Sequence, residues 1–213
     1  VNTHPSIRFL ALALAATTGA AACGSAESAP EPTSTPDTPE ARVARGKYLV
    51  TTGLCNDCHT PMIMGPSGPV RDPDHMLGGH PAALALPPPP ALASPWSAAT
   101  SDTMTAWAGP WGISYTANLT PDDETGLGTW TTQNFIDTIR NGRHLGKGRP
   151  LLPPMPFEMI GQLTDDDLAA IFAYLQSIPA VKNKVPAPVP PAGAPAAPAA
   201  AAAPAAPAAT PAS

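Results

Sequence analysis

Five consecutive residues carry the densest chemistry in the chain: Cys55-Asn56-Asp57-Cys58-His59 sets two thiols three positions apart, with an imidazole directly after the second. Three chemistries use such a set. The thiols could pair or exchange, but a thioredoxin-like pair needs a preceding strand in a βαβ setting, and the upstream residues read as a helix. Zinc accepts both residue types, yet a structural site takes four protein ligands, and no second cysteine pair or suitably spaced histidine partner is present. The third is C-x-x-C-H, the attachment signature of c-type haem, in which two thioethers fix the porphyrin edge and bring the adjacent His59 to the iron from one side. The signature occurs once. One covalent haem c, held by Cys55 and Cys58 with His59 on the iron, is therefore expected.

The opposite side of such an iron needs its own ligand. Met155 lies in Pro153-Pro154-Met155-Pro156, where prolines restrict the backbone and bring no competing imidazole or charge. A methionine ligand raises the potential relative to a second nitrogen ligand, which suits electron acceptance and release. Met155 is expected as the second metal ligand, ahead of Met159 and of Met62, Met64, Met76, Met104, His75, His80 and His144. The alternative role is that of a core methionine filling an irregular gap.

The elements that must position these groups read as helices. Thr38-Pro39-Glu40 is a cap, a first-turn proline and an acid at the positive end of the dipole. Val43, Gly46, Val50 and Leu54 then recur at helical spacing, with Tyr48 and Leu49 broadening the apolar side. Gly46 costs about 1 kcal/mol relative to alanine in a helix; a close helix crossing would account for it. Thr131 or Thr132 opens a second helix with Phe135, Ile136 and Ile139 on one side, stopped at Asn141-Gly142. Thr164 caps a third, with Asp167 as its box partner and Leu163 stapling to Leu168. Its apolar stripe is Leu168, Ile171, Phe172, Leu175 and Ile178, and Pro179 ends it. Arg140, Arg143, His144, Lys147 and Arg149 lie between the last two helices, where they could meet haem propionates, an acidic partner, or solvent.

The two ends differ from this middle. Residues 1–22 read as an export signal: Arg8 precedes the apolar run from Phe9 to Ala16, which is too short for a membrane span of roughly 20 residues. Ala20-Ala21-Ala22-Cys23-Gly24 is similar to a lipoprotein cleavage box, so Cys23 is expected to carry a lipid anchor, an ordinary signal-peptidase site being the alternative. Residues 23–37 would be a flexible tether and residues 186–213, almost entirely Ala and Pro, a disordered tail. The intervening 38–185 is the folding domain. The net charge of −5 gives no general attraction to nucleic acid.

In this order the motifs resemble the bacterial c-type cytochrome family, particularly the monohaem and multihaem domains that accompany periplasmic dehydrogenases. Arg45-Gly46-Lys47-Tyr48-Leu49 looks like the first helix, Asn118-Leu119-Thr120-Pro121-Asp122 with Gly126-Leu127-Gly128 and Trp130 like the middle segment, and Pro153 to Pro156 like the distal methionine loop. The resemblance implies an all-α, cytochrome c-like fold around one haem, terminal helices crossing at Gly46 with Tyr48 beside it, and haem contacts from Asn118 and Trp111. The Pro-rich stretch between Thr60 and Trp111 departs from the smallest members and would be an enlarged loop. It further implies an electron carrier rather than an enzyme, serving a dehydrogenase or terminal reductase; with the export signal and Cys23, the chain is expected in the periplasm or cell envelope, lipid-anchored to a membrane. A haem sensor or small-ligand binder is the alternative, and a haem enzyme the more remote one.

Overall fold

The computed structural model describes residues 38–193. The expected signal segment (residues 1–22), the expected tether with Cys23 (residues 23–37) and the expected tail beyond residue 193 lie outside the described residues.

Helix α1 (Pro39–Thr52) begins as its sequence dictates: the Thr38 hydroxyl accepts the Ala41 amide at 3.1 Å, and Gly46 and Val50 are buried. It stops before Leu54, which sits in the left-handed region (φ 56°) and is exposed, so the apolar stripe ends at Val50. Helix α2 (Cys55–His59) follows this reversal directly. Helix α3 (Thr132–Asn141) is capped by Thr131 and not Thr132, with Asn134 completing a reciprocal box, and ends at Gly142 in the left-handed conformation. Helix α4 (Phe157–Ile160) is one turn. Helix α5 (Asp165–Ser177) is capped by Thr164, which accepts the Asp167 amide at 3.1 Å. The Asp167 carboxylate takes the Arg45 Nε–H at 2.9 Å, joining α1 to α5.

Helices α1 and α5 cross closely. A Cβ on Gly46 would lie 2.6 Å from the Ala170 carbonyl carbon and 2.8 Å from Tyr174 Cβ, so only glycine lets these backbones meet. Tyr48, expected at the crossing, points outward under the Arg45 guanidinium, and Tyr174 takes the inner position. Val50, Leu168, Ile171, Phe172 and Leu175 join Phe135, Ile136 and Ile139 of α3, with Leu77 and Leu127 from the connecting segments, in one core.

The expected all-α architecture is corrected by two small antiparallel sheets. Strands β1 (Met62–Gly65) and β2 (Gly68–Arg71) pair with Met62 opposite Arg71; strands β3 (Ala99–Thr100), β4 (Ala106–Gly109) and β5 (Gly112–Tyr115) form a second sheet in that order. The cause is local. Gly65-Pro66-Ser67-Gly68 and Gly109-Pro110-Trp111-Gly112 are the same Gly-Pro-x-Gly turn, with proline fixing φ at the second position and glycine admitting the positive φ of Gly68 and Gly112. The proline-rich insertion is thus partly strand.

After α5 the chain remains attached beyond the expected domain end at 185. Val189 exchanges backbone hydrogen bonds with Ile113 at 2.8 and 2.9 Å. Asn183 donates to the carbonyls of Gly78 and His80 and accepts the Ala82 amide.

Candidate haem-binding site

Cys55 and Cys58 are one turn apart on α2, both half-buried and both free thiols. Burial pushes each thiol above its ordinary range, opposite to the depression that makes exchange-active C-x-x-C thiols reactive. Among the described residues no group of three or more His, Cys, Asp or Glu side chains converges on a metal position, so nothing supplies the further ligands of a zinc centre.

His59 closes the same helix and is 7% exposed. Its Nδ1 is 2.8 Å from the Ala117 carbonyl, which can only accept, so Nδ1 carries the proton. Burial pushes the imidazole pKa down, the carbonyl contact opposing it less strongly. The neutral ring then keeps its lone pair on Nε2, and no hydrogen bond to Nε2 occurs among the described residues. A histidine oriented through Nδ1 with a free Nε2 is the arrangement of a metal ligand fixed by its outer partner. Thr60 anchors the helix end: its hydroxyl donates to Asn56 Oδ1 and accepts the Leu77 amide, both at 2.8 Å.

Met155 is half-buried against the same core that Cys55 touches, whereas Met159 on α4 is 73% exposed. Met64 and Met76 are exposed as well. The competing histidines have other neighbours: His75 faces Asp72 at 2.6 Å, His80 is fully buried on Thr105 Oγ1, and His144 packs edge-on against Trp130.

The two contacts suggested by resemblance have protein partners. The Asn118 amide nitrogen donates to the Val181 carbonyl at 2.7 Å and its oxygen accepts from the amide and hydroxyl of Thr120. Its visible work is to pin the residue following Ala117. Trp111 lies over Gly109, where a Cβ would stand 2.5 Å from its ring, and gives its indole N–H to Ser114 Oγ at 3.3 Å. Of the basic group, Arg140 is committed to Asp165 and the Leu163 carbonyl; Arg143, Lys147 and Arg149 form no ion pair among the described residues and stay exposed. Sequence reasoning missed Ala117, a carbonyl with no side-chain signal, and Ser114, whose only hint was its place in the alternation Ile113-Ser114-Tyr115.

A set of two thiols and an open imidazole nitrogen on one short helix, with a thioether on the same core, fits a covalently attached haem. No family profile matches the chain. It is 27% identical over 152 residues to the fructose dehydrogenase cytochrome subunit of Gluconobacter japonicus, covering 68% of this chain and 24% of that one. It is 30% identical over 135 residues to the gluconate 2-dehydrogenase cytochrome c subunit of Pantoea cypripedii (63% and 23%). To the cytochrome c subunit of the quinone alcohol dehydrogenase of Gluconobacter oxydans it is 28% identical over 153 residues (70% and 25%). The chain spans a quarter or less of the length of each of these relatives. With its thiol and imidazole helix and these alignments together, the chain is similar to the cytochrome c subunits of bacterial dehydrogenases over part of their length.

Proposed function

We propose that this chain is an electron carrier with one haem c, attached through Cys55 and Cys58 and ligated by His59 and Met155. The observation that carries the proposal is His59 itself: buried, neutral, oriented by Ala117 and open at Nε2, directly after two thiols on one helix. The haem would supply a one-electron redox centre. The protein's part is to hold His59 in one tautomer, to keep the Met155 loop closed and to surround the group with the apolar core.

The relatives are named as cytochrome subunits of dehydrogenases, so the partner proposed here is a dehydrogenase that passes electrons on, and the chain is not itself the catalyst. The exposed Arg143, Lys147 and Arg149 beside the Met155 loop would steer an acidic partner surface despite the net negative charge. Such chemistry requires an exported chain, since the signal at 1–22 and the attachment motif belong to the same compartment. No helix among the described residues is long and apolar enough to cross a membrane. Membrane attachment in this proposal rests on acylation of Cys23, and fatty-acid labelling should vanish in Cys23→Ser.

The full chain matured in cells that attach haem c should gain the mass of one haem and keep it through denaturation and acidic organic extraction. Loss of the haem on extraction, or an unchanged mass, would overturn the assignment.

A further inference from the structure

The loop that carries Met155 is poorly secured by its own backbone. Prolines at 153, 154 and 156 have no amide hydrogen to donate, and the Met155 amide turns back to the Leu152 carbonyl at 3.2 Å, within the same loop. Between Leu152 and Met155 the hydrogen bond that arrives from elsewhere in the described residues is made by Ser114, which donates to the Pro153 carbonyl at 2.6 Å. Ser114 is buried, and its hydroxyl has one proton to give. The Trp107 carbonyl at 3.4 Å is the weaker claimant. The Trp111 indole N–H, at 3.3 Å, occupies the hydroxyl as acceptor and so directs its proton away, toward Pro153. Trp111 is set in turn by Gly109 beneath its ring.

Three residues along the same chain, Ala117 accepts His59 Nδ1–H. The intervening segment is extended and held on both sides, Thr116 donating to the Thr105 carbonyl at 2.9 Å and accepting the His80 amide at 3.0 Å. Ser114 and Ala117 are thus about 10 Å apart on one tied segment.

Resting on the proposed His59 and Met155 ligation, we infer that Ser114, oriented by Trp111, is a positioning residue for Met155, and that segment 114–117 ties the Met155 loop and His59 to one stretch of chain. Ser114 touches no reacting atom. It acts by keeping the loop closed, so that an exogenous ligand reaches the iron only when the loop opens.

The test uses ferric holoprotein of the full chain and imidazole as the probe, with binding rate and the weak near-infrared methionine-to-iron band as readouts. A buried neutral hydrogen bond contributes enough that Ser114→Ala should speed imidazole binding about three- to tenfold. Ser114→Thr, which keeps the hydroxyl, should bind at the unmodified rate, and Trp111→Phe, which keeps the ring but loses the N–H, should lie between. Urea unfolding of Ser114→Ala and Ser114→Thr separates loop opening from general destabilisation. An unmodified protein with the methionine band, fast binding in Met155→Ala, and an unchanged rate in both Ser114→Ala and Trp111→Phe would overturn this inference and leave the ligation intact. Absence of the band in the unmodified protein, with Met155→Ala binding no faster, would overturn the ligation and the inference with it.

Discussion

Replacing Gly46 with alanine sets two effects of known sign against each other. Inside an exposed helix the change should stabilise by about 1 kcal/mol, through propensity alone. Here the added methyl would stand 2.6 Å from the Ala170 carbonyl carbon, 2.8 Å from Tyr174 Cβ, and closer still to the Ala170 oxygen. Ordinary carbon contacts lie near 3.5 Å, so the carbonyl carbon alone would require α1 and α5 to separate by about 0.9 Å, and the nearer oxygen by more. The obstructing atoms are backbone and Cβ, which cannot rotate away, so the cost belongs at the upper end of the 1–3 kcal/mol typical of overpacking. Separation also strains the Arg45–Asp167 bond and loosens Val50 against Leu168 and Leu175. A net loss of about 2 kcal/mol follows, which for a domain of this size lowers the melting temperature by about 4–8 °C. Thermal unfolding of the holoprotein followed by circular dichroism reads this directly. An unchanged or raised melting temperature would mean that propensity wins, and that the crossing is not as close as described.

Two other perturbations probe the segments that support His59. Asn183→Ala removes donors to Gly78 and His80 and the acceptor for the Ala82 amide; urea unfolding should show a loss of about 2 kcal/mol, and no loss would mean that the segment after α5 is not a structural strap. Burial depresses the His80 pKa, so the unfolded chain protonates first; the stabilising contribution is full above the ordinary histidine range near pH 6.5 and is lost as pH falls through and below it. His144, also lowered by burial, adds in the same direction, and His80→Gln should flatten the slope of unfolding free energy between pH 7 and 5.

What the sequence made legible was local. Caps at Thr38 and Thr164 and the stop at Gly142 depend on neighbours within four residues, and each appears where its chemistry places it. Thr131 rather than Thr132 caps α3 because Asn134 lies three residues beyond it and can return the bond. The sheets were hidden because the many prolines between Thr60 and Trp111 read as an enlarged loop, although the repeated Gly-Pro-x-Gly turn was on view. Tyr48 and Leu54 fit a helical apolar pattern, but a left-handed turn at Leu54 ends the helix and Arg45 draws Tyr48 outward. Ser114 meets Pro153 across 39 positions and Val189 meets Ile113 across 76. Contacts of that kind leave no pattern in a single sequence.

Closed coordination by His59 and Met155 is the centre of the account, and the near-infrared spectrum of the ferric holoprotein tests it most directly. The methionine-to-iron band should be present in the unmodified chain, absent in Met155→Ala and retained in Met159→Ala, because Met159 is 73% exposed on α4 while Met155 packs against the core. Persistence of the band in Met155→Ala together with its loss in Met159→Ala would contradict the assignment. A spectrum without the band in the unmodified protein would contradict methionine ligation altogether.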